Sequence, residues 1–412
     1  MTGVTIDHMV ALTVFLGALL LFVGLFNQSI QTAILYQRHR FIATKCSDLV
    51  DNILLNPGSP YDWGTNSSSK DFMTIFGLQD PEFQQYRLSP FSLMRLVSSS
   101  GDKIYYDKTG KWYSNISWGI NGGYLLLQES DCVTYANVTK LLGTNGTYDF
   151  QLSTTPTLTV AITEVQQNPL KLEIQVYGPS FPLANATITY LMFWTNKTVD
   201  TYPMLYFSAD PNLNTVQTDS SGIAYKEFED LNVEDNNSAY AFIAKVQVGG
   251  LCGIGYISRE TTTGAGNLIP FIDNYENGTI LLAHKWGKHD PSGSEGALFF
   301  NASYYVLPDN FAPILAANLA DKVNYGNSIP YQTMQVPSNL TGFLVAAYST
   351  GNDYGIVLMP WGIGTIGNSV VFGNAPVEKE WVATDIRQVL VNDVAYQAQL
   401  SLWSLEGYSV VS

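Results

Sequence analysis

The hydrophobic and polar positions of the chain predict one long N-terminal helix followed by many short strands. Between Met9 and Phe26 there are 18 residues without a charge, called the apolar segment below. At about 1.5 Å rise per residue, a helix of this length crosses most of the hydrocarbon core of a bilayer. No basic residue precedes this segment and no Ala-x-Ala motif follows it, which favours a retained membrane anchor over a cleaved signal peptide.

The helical pattern continues beyond the apolar segment as a narrow row of apolar residues with helical spacing. The motif NPGSP ends this pattern, because Pro57, Gly58 and Pro60 do not continue a helix. The sequence therefore predicts one helix of about fifty residues. Its apolar row packs either against the chain's own globular domain or against copies of itself. This row, the helix packing stripe, comprises Leu35, Ile42, Cys46, Leu49 and Ile53.

Residues 156–260 alternate apolar and polar positions with a period of two, as in PLKLEIQVY. One face of that strand comprises Leu170, Leu172, Ile174 and Val176. Short alternating strands separated by Gly, Pro and Asn turns predict a β-sandwich. The predicted fold is mainly β, with a transmembrane and amphipathic helix in residues 1–58. The predicted domains that follow are a mixed β-rich part (59–155), the sandwich (156–260) and a C-terminal β-rich domain (261–412).

Smaller elements are predicted on both sides of the sandwich. Turn residues between aromatic strands predict a hairpin around Asp107–Gly110. A short helix is predicted near residue 93, with Leu93, Met94 and Val97 on its buried side. Phe311–Val323 is predicted to be a second short helix. Near the C-terminus, one strand face is predicted to comprise Val394, Tyr396, Ala398, Leu400 and Leu402. Whether residues 59–155 pair with the last domain, leaving the sandwich as an insertion, stays open.

Composition agrees with a β-rich protein and disfavours two kinds of partner. The chain is 46% hydrophobic and only 13% charged, and it contains 25 Tyr and 34 Gly. Its net charge is −15, and its 20 Lys and Arg residues form no basic tract. Binding to nucleic acid or to an anionic membrane surface is therefore not expected.

Ten Asn-x-Ser/Thr sequons lie in the polar part of the chain and predict an exported domain that is glycosylated at some of them. Export places the C-terminal side outside the cell. Arg38, Arg40 and Lys45 favour the opposite orientation by the positive-inside rule, but a long polar domain translocates largely regardless of nearby charge. The sequons are Asn66, Asn115, Asn137, Asn145, Asn185, Asn196, Asn236, Asn277, Asn301 and Asn339.

The three cysteines are too few for a disulfide scaffold. Cys132 and Cys252 either form a disulfide in an oxidising compartment or remain separate buried thiols. Cys46 lies on the predicted helix.

Motifs for catalysis, metals or cofactors are weak. Gly362, Gly364 and Gly367 have a G-x-G-x-x-G spacing, but a strand-like run follows where a dinucleotide site needs a helix. His284, His289 and Asp290 lie close together in HKWGKHD, but no third ligand pattern or nucleophile motif accompanies them. The sequence therefore predicts no enzyme, no cofactor and no metal site.

The N-terminal run GVTIDHMVALTVFLGALLLFVGLF resembles the start of type IV pilin-like proteins, and with the sequons it is most similar to archaeal ones. The resemblance covers residues 3–60. It implies cleavage after Gly3, a mature chain starting at Val4, and a helix that anchors in the membrane and mediates assembly. It also implies that Asp7 pairs with the amino group of a neighbouring subunit. An acid at the membrane end of a span otherwise has to reach water or the headgroups.

The run GPSFPLANATI with the later TDSSGIA resembles immunoglobulin-like surface domains of the invasin type. This resemblance implies a spacer or adhesive module. The chain is thus expected to be a pilin-like cell-surface protein that self-associates through its helix and displays a glycosylated β-rich head. The alternative is a monomeric, single-pass anchored adhesin whose domains bind a surface ligand or carbohydrate.

Overall fold

The structure is a computed structural model of the whole chain. It describes residues 2–66, 69, 71–83, 86–96, 103–106, 110–117, 124–128, 131–196, 206–207, 214–234, 238–259, 268–274, 277–284, 298–306, 313–323, 331–338, 340–350, 353–361, 369–377, 379, 381–392 and 394–405. Residues 55–405 are called the head below.

One helix, α1, extends without interruption over Thr2–Leu54, a length of 53 residues. It ends directly before the NPGSP motif, as predicted, and Gly58 there has a left-handed backbone with φ 86°. A side chain at Gly58 would also collide with Trp63, which is fully buried. Helices α2 and α3 in the head comprise Pro90–Met94 and Tyr135–Leu141.

The head is mainly β-sheet. Strands β1 to β6 comprise Lys103–Tyr106, Lys111–Ser117, Tyr124–Gln128, Tyr148–Pro156, Thr159–Gln167 and Leu170–Tyr177. Strands β7 to β12 comprise Thr187–Asn196, Tyr206–Phe207, Thr215–Gln217, Ile223–Phe228, Ser238–Val248 and Leu251–Ser258. Strands β13 to β17 comprise Leu268–Asn274, Thr279–His284, Leu298–Val306, Ile314–Val323 and Tyr331–Gln335. Strands β18 to β22 comprise Gly342–Thr350, Asp353–Trp361, Val370–Gly373, Ala383–Val391 and Val394–Ser404.

The described strands form five sheets. A six-stranded sheet has the order β1-β2-β3-β13-β14-β17, and a four-stranded sheet has the order β16-β15-β18-β19. We call β20-β4-β22-β21 the anchor sheet, because α1 lies on it. The shared sheet is β12-β11-β7-β8 with β9 beside β7, and the outer sheet is β10-β6-β5. Pairing is antiparallel except between β3 and β13.

The outer and shared sheets pack face to face around a core of their own, the sandwich core. Strand β6 alternates strictly, and its predicted inward residues Leu170, Leu172, Ile174 and Val176 are all fully buried there. Strand β11 behaves differently because both of its faces are buried. Phe242 faces the sandwich core, whereas its neighbour Ile243 belongs to the main core of the head. The shared sheet therefore contributes to both cores.

Strands from the first and last parts of the head pair with each other. The six-stranded sheet joins strands from residues 103–128 to strands from residues 268–335. In the anchor sheet, β4 pairs with the C-terminal strand β22 over nine residue pairs from Tyr396↔Pro156 to Ser404↔Tyr148. The chain between β4 and β13 carries the outer and shared sheets.

The predicted helix at Phe311–Val323 is wrong where the structure describes it. Ile314–Val323 is strand β16, paired with β15 from Leu298↔Val323 to Val306↔Ile314. Its Ala and Leu residues favour a helix locally, but pairing with a neighbouring strand overrides that preference.

Three other local predictions agree with the structure. Strands β1 and β2 pair as a hairpin around the predicted turn. Helix α2 buries Leu93 and Met94, while Val97 lies outside the described residues. The predicted C-terminal face is fully or almost fully buried on β22: Val394, Tyr396, Ala398, Leu400 and Leu402.

Candidate functional site

The N-terminal half of α1 projects from the head with its side chains uncovered. Every side chain from Ile6 to Ile30 is exposed, including Leu21 at 71%. The most apolar 18-residue window has a mean hydropathy of 2.7, and none of it is buried. A core helix would be covered by the rest of the chain. This helix is therefore a membrane anchor or a signal sequence by length and composition.

A polar side chain within the apolar segment already has a partner. The Thr13 hydroxyl donates to the carbonyl oxygen of Met9, one turn earlier, at 2.8 Å. This bond lets the hydroxyl enter a lipid environment without losing its hydrogen bond. Both glycines of the segment, Gly17 and Gly24, have open space where a Cβ would lie.

The C-terminal part of α1 is built into the head through the helix packing stripe. Ile42, Cys46, Leu49 and Ile53 are each at most 4% exposed, and Leu35 is half-buried. They lie against β21 and β22 of the anchor sheet. The Cys46 thiol donates to the Leu400 carbonyl at 3.4 Å. Of the two alternatives for the stripe, the structure shows packing against the chain's own domain.

A polar network holds the same part of α1 against strand β21. Arg387 Nε lies 3.1 Å from Asp51 Oδ1, and its Nη2 donates to Ser47 Oγ at 3.1 Å. The same guanidinium pairs with Asp385 on its own strand. Tyr86 donates its hydroxyl to Asp51 at 3.2 Å. The bond to Asp51 raises the pKa of Arg387 above its ordinary value, so the guanidinium stays charged at every accessible pH.

The last turn of α1 is capped by the head. Leu78 N–H donates to the Ile53 carbonyl at 2.8 Å, and Gln79 N–H donates to the Asn56 carbonyl at 3.0 Å. The first bond satisfies a carbonyl group that the helix end leaves free, and the second fixes the turn that follows the helix. A side chain at Gly77 would lie 2.0 Å from the Asn56 oxygen, so the close approach requires glycine there. Closer to the N-terminus of α1, the His39 ring stacks on the Trp381 ring with centroids 4.4 Å apart.

C-terminal to the apolar segment, α1 carries a second apolar row that the head leaves uncovered. Ile30, Ile34 and Phe41 are 42%, 46% and 62% exposed. Their spacings of four and seven place them on one side of the helix, away from Leu35 and Ile42. We call these three residues the exposed row. It lies beyond the apolar segment, and a single anchor would present Ile34 and Phe41 to water.

The residues predicted for processing and pairing lie at the free end of α1. Gly3 and Val4 are helical, and their side chains are outside the described set. Asp7 is exposed and far from the stripe along the helix. The structure thus separates these residues from the head instead of bringing them into one site with it.

The predicted sequons fall into four groups by their place in the structure. Four are exposed and sterically open to modification: Asn137, Asn145, Asn185 and Asn277. Asn66 and Asn301 are half-buried. Asn115 and Asn196 belong to β2 and β7, with side chains outside the described set. Asn236 and Asn339 lie outside the described residues.

The sequence leaves open whether Cys132 and Cys252 form a disulfide or remain separate buried thiols. In the structure no disulfide joins them, and both are buried in the main core together with Cys46. The alternative of separate buried thiols describes them, because each packs as a small apolar side chain.

The candidate catalytic and metal residues named from the sequence lie mostly outside the described part of the chain. The segment with Gly362, Gly364 and Gly367, together with His289 and Asp290, lies outside it. Within it, no group of three or more His, Cys, Asp or Glu residues is arranged to hold a metal ion.

Two features were not predicted from the sequence. The first is Arg387, whose partner Asp51 lies 336 residues away, so no local pattern links them. The second is the exposed row on α1. Its spacing is visible in the sequence, but its exposure depends on which helix face the anchor sheet covers.

A scan of the chain against models of known protein families finds no match, and a search of curated protein sequences finds none either.

Proposed function

We propose that this chain is a pilin-like cell-surface protein of the archaeal type. It anchors in the cytoplasmic membrane through the apolar segment, self-associates through α1 and displays a glycosylated β-rich head outside the cell. The proposed role is structural and not enzymatic. The immunoglobulin-like resemblance of the sandwich fits a spacer or adhesive part of that head.

The exposed row carries this proposal. Lipid covers the apolar segment of a single anchor, but it does not reach apolar side chains beyond the membrane surface. Ile30, Ile34 and Phe41 lie 4 to 15 residues past Phe26, which is about 6 to 22 Å along the helix. A neighbouring copy of α1 covers such a row by helix packing, as in other helical bundles. The monomeric alternative leaves Ile34 and Phe41 in water, while Ile30 lies at the level of the headgroups.

The N-terminus of the mature chain tests the processing step. N-terminal sequencing of protein from its native membrane is expected to start at Val4. An intact Met1, or a start after Phe26, contradicts the pilin-like proposal. A start after Phe26 also contradicts membrane anchoring, because the apolar segment is then a cleaved signal.

Asp7→Ala tests the assembly step. If Asp7 pairs with a neighbouring amino group, its removal abolishes incorporation into filaments, since one charge is left unpaired in lipid. The head is expected to remain folded, because Asp7 is exposed and outside it. Asp48→Ala is the matched control: it removes an exposed acid from the head end of the same helix. Filaments that form normally with Asp7→Ala contradict the pairing role.

A further inference from the structure

A cleft of about 680 Å³ opens in the head near the end of α1. This volume lies within the ~300–1,000 Å³ range of small-ligand sites. Its walls come from five separate segments: the turn after α1, the loop that precedes α2 together with the start of α2, the end of β15, the loop before β18 and the turn between β21 and β22. The cleft is distant in sequence from the exposed row, and no group used above for assembly lines it.

Two aromatic rings at the cleft are accessible to a ligand. Tyr61 is 69% exposed and Phe83 is 43% exposed. The Arg87 guanidinium lies over the Phe83 ring, 3.8 Å from its centroid. This cation–π contact fixes both groups in place. Exposed rings of this kind offer flat apolar faces together with, in Tyr61, a hydroxyl group.

Three carboxylates supply acceptors. Asp62 accepts a hydrogen bond from Asn66 Nδ2 at 3.2 Å, and Asp80 accepts one from the Glu82 N–H at 3.0 Å. A carboxylate has room for about four hydrogen bonds, so these contacts orient the groups without using their capacity. The Nδ2 atom of Asn392, at the other wall, finds no acceptor among the described residues.

The charges of the cleft select among ligand classes. Asp62, Asp80 and Glu82 oppose a phosphate, sulfate or carboxylate ligand, since Arg87 balances only one of them. The unbalanced carboxylates attract a cationic ligand, but Arg87 already occupies a face of the Phe83 ring on which such a cation would stack. A neutral ligand with many hydroxyl groups needs no balancing charge, because each hydroxyl donates to a carboxylate or accepts from a guanidinium or amide.

We propose that this cleft binds a neutral oligosaccharide, with sugar rings against Tyr61 and Phe83 and hydroxyl groups bonded to Asp62, Asp80 and Arg87. The ligand has two sources. Asn66 is a sequon residue and belongs to the cleft lining, so a glycan attached there reaches the cleft directly. The second source is a glycan of another molecule or surface. The proposal goes beyond helix assembly and does not depend on it.

The test uses the full chain in detergent, made in a host that does not glycosylate it. Saturation-transfer NMR and calorimetry measure binding of neutral trisaccharides of glucose, mannose, galactose and N-acetylglucosamine. A sialylated trisaccharide and a trilysine peptide are the charged probes. Tyr61→Ala is expected to weaken binding about five- to tenfold, from the loss of one aromatic contact. Phe72→Ala is the matched control, because Phe72 is 74% exposed but does not line the cleft.

Binding of a neutral trisaccharide that Tyr61→Ala weakens and Phe72→Ala leaves unchanged supports the proposal. Three results overturn it: no neutral trisaccharide binds, the charged probes bind more tightly, or Tyr61→Ala binds as well as the unmodified sequence. The same titration on glycosylated chain distinguishes the sources. If the Asn66 glycan fills the cleft, glycosylated chain binds no free trisaccharide and Asn66→Gln restores binding. If the ligand comes from elsewhere, both bind equally. Filament assembly enters none of these readouts.

Discussion

Arg387 of the head forms an ion pair with Asp51 of α1. It contacts Asp51 and Ser47 on α1 and Asp385 on its own strand. One side chain thus links two elements that are more than 300 residues apart in sequence. Because Asp51 is 41% exposed, water screens part of this attraction. The apolar stripe beneath it therefore contributes more to docking, and Arg387 sets the register of the helix on the sheet.

Replacing Arg387 with Ala is expected to lower the free energy of unfolding by about 1 kcal/mol, since the hydrogen bonds to α1 are lost and Asp385 stays behind. Amide hydrogen exchange of residues 42–54 is expected to speed up. Lys379→Ala is the control, because it removes the same charge from an exposed position nearby. Unchanged exchange in Arg387→Ala would show that the apolar stripe alone fixes the helix.

Asp80 gives a prediction about pH. Burial raises the pKa of this carboxyl above its ordinary value, although the Glu82 N–H and Arg87 act in the opposite direction. The folded state therefore binds the proton more tightly than the unfolded state, and stability falls as pH rises from about 4 through the folded pKa. Asp80→Asn keeps an oxygen for the Glu82 N–H and removes the charge.

The melting temperature of Asp80→Asn is thus expected to exceed that of the unmodified chain at pH 7. The difference should vanish near pH 3, where both side chains are neutral. Thermal unfolding at the two pH values measures it, with Glu82→Gln as the matched removal of an exposed carboxylate from the same loop. A variant that melts lower at pH 7 contradicts the assigned effect of burial.

At the scale of elements, α1 carries two apolar rows, one covered by the head and one exposed. Ile53 on the stripe is fully buried, whereas Ile34 on the exposed row is 46% exposed. Replacing each of these two residues with Ala therefore tests the docking of α1 onto the head separately from the proposed self-association.

Ile53→Ala is expected to cost about 2–5 kcal/mol of head stability, from the lost burial and the cavity left behind. Ile34→Ala should change head stability by less than about 0.5 kcal/mol. It should lower the amount of assembled filament, because it trims the surface offered to a neighbouring helix. Denaturation of the detergent-solubilised chain and electron microscopy of shed filaments measure the two effects. Equal stability loss in both variants would contradict the assignment of two rows.

Among the elements, those predicted correctly are those whose pattern is local. The apolar row of α1 and the alternation of β6 each repeat within one element, so periodicity alone identifies them. The prediction for β16 was wrong because its Ala- and Leu-rich sequence favours a helix, and only its pairing with β15 makes it a strand. The cleft walls come from five separated segments, so no sequence pattern brings Tyr61, Phe83 and Asn392 together.

At the scale of the whole molecule, the shared sheet joins two cores. Phe242 and Ile243 are sequence neighbours on β11 that face opposite cores, and each is at most 1% exposed. Neither core is complete without this strand. The head is therefore expected to unfold as one cooperative unit.

Phe242→Ala and Ile243→Ala are each expected to destabilise the head by about 2–5 kcal/mol and to shift one and the same unfolding transition. Differential scanning calorimetry should show a single peak in both variants. Val165→Ala, on an exposed position of β5, should leave that peak in place. Two peaks, each moved by only one of the variants, would show that the two cores unfold separately.

The packing of α1 against strands near the C-terminus also has a consequence during synthesis of the chain. The stripe leaves the ribosome early, but its covering strands β21 and β22 come near the end, and Leu400 follows Cys46 by 354 residues. At ~5–20 residues per second, the stripe waits about 20–70 s for its partner. During that time the helix packing stripe of the nascent chain stays uncovered, C-terminal to the apolar segment. We therefore expect that early membrane insertion of α1, or a chaperone that binds the stripe, is needed to keep unfinished chains from aggregating with one another.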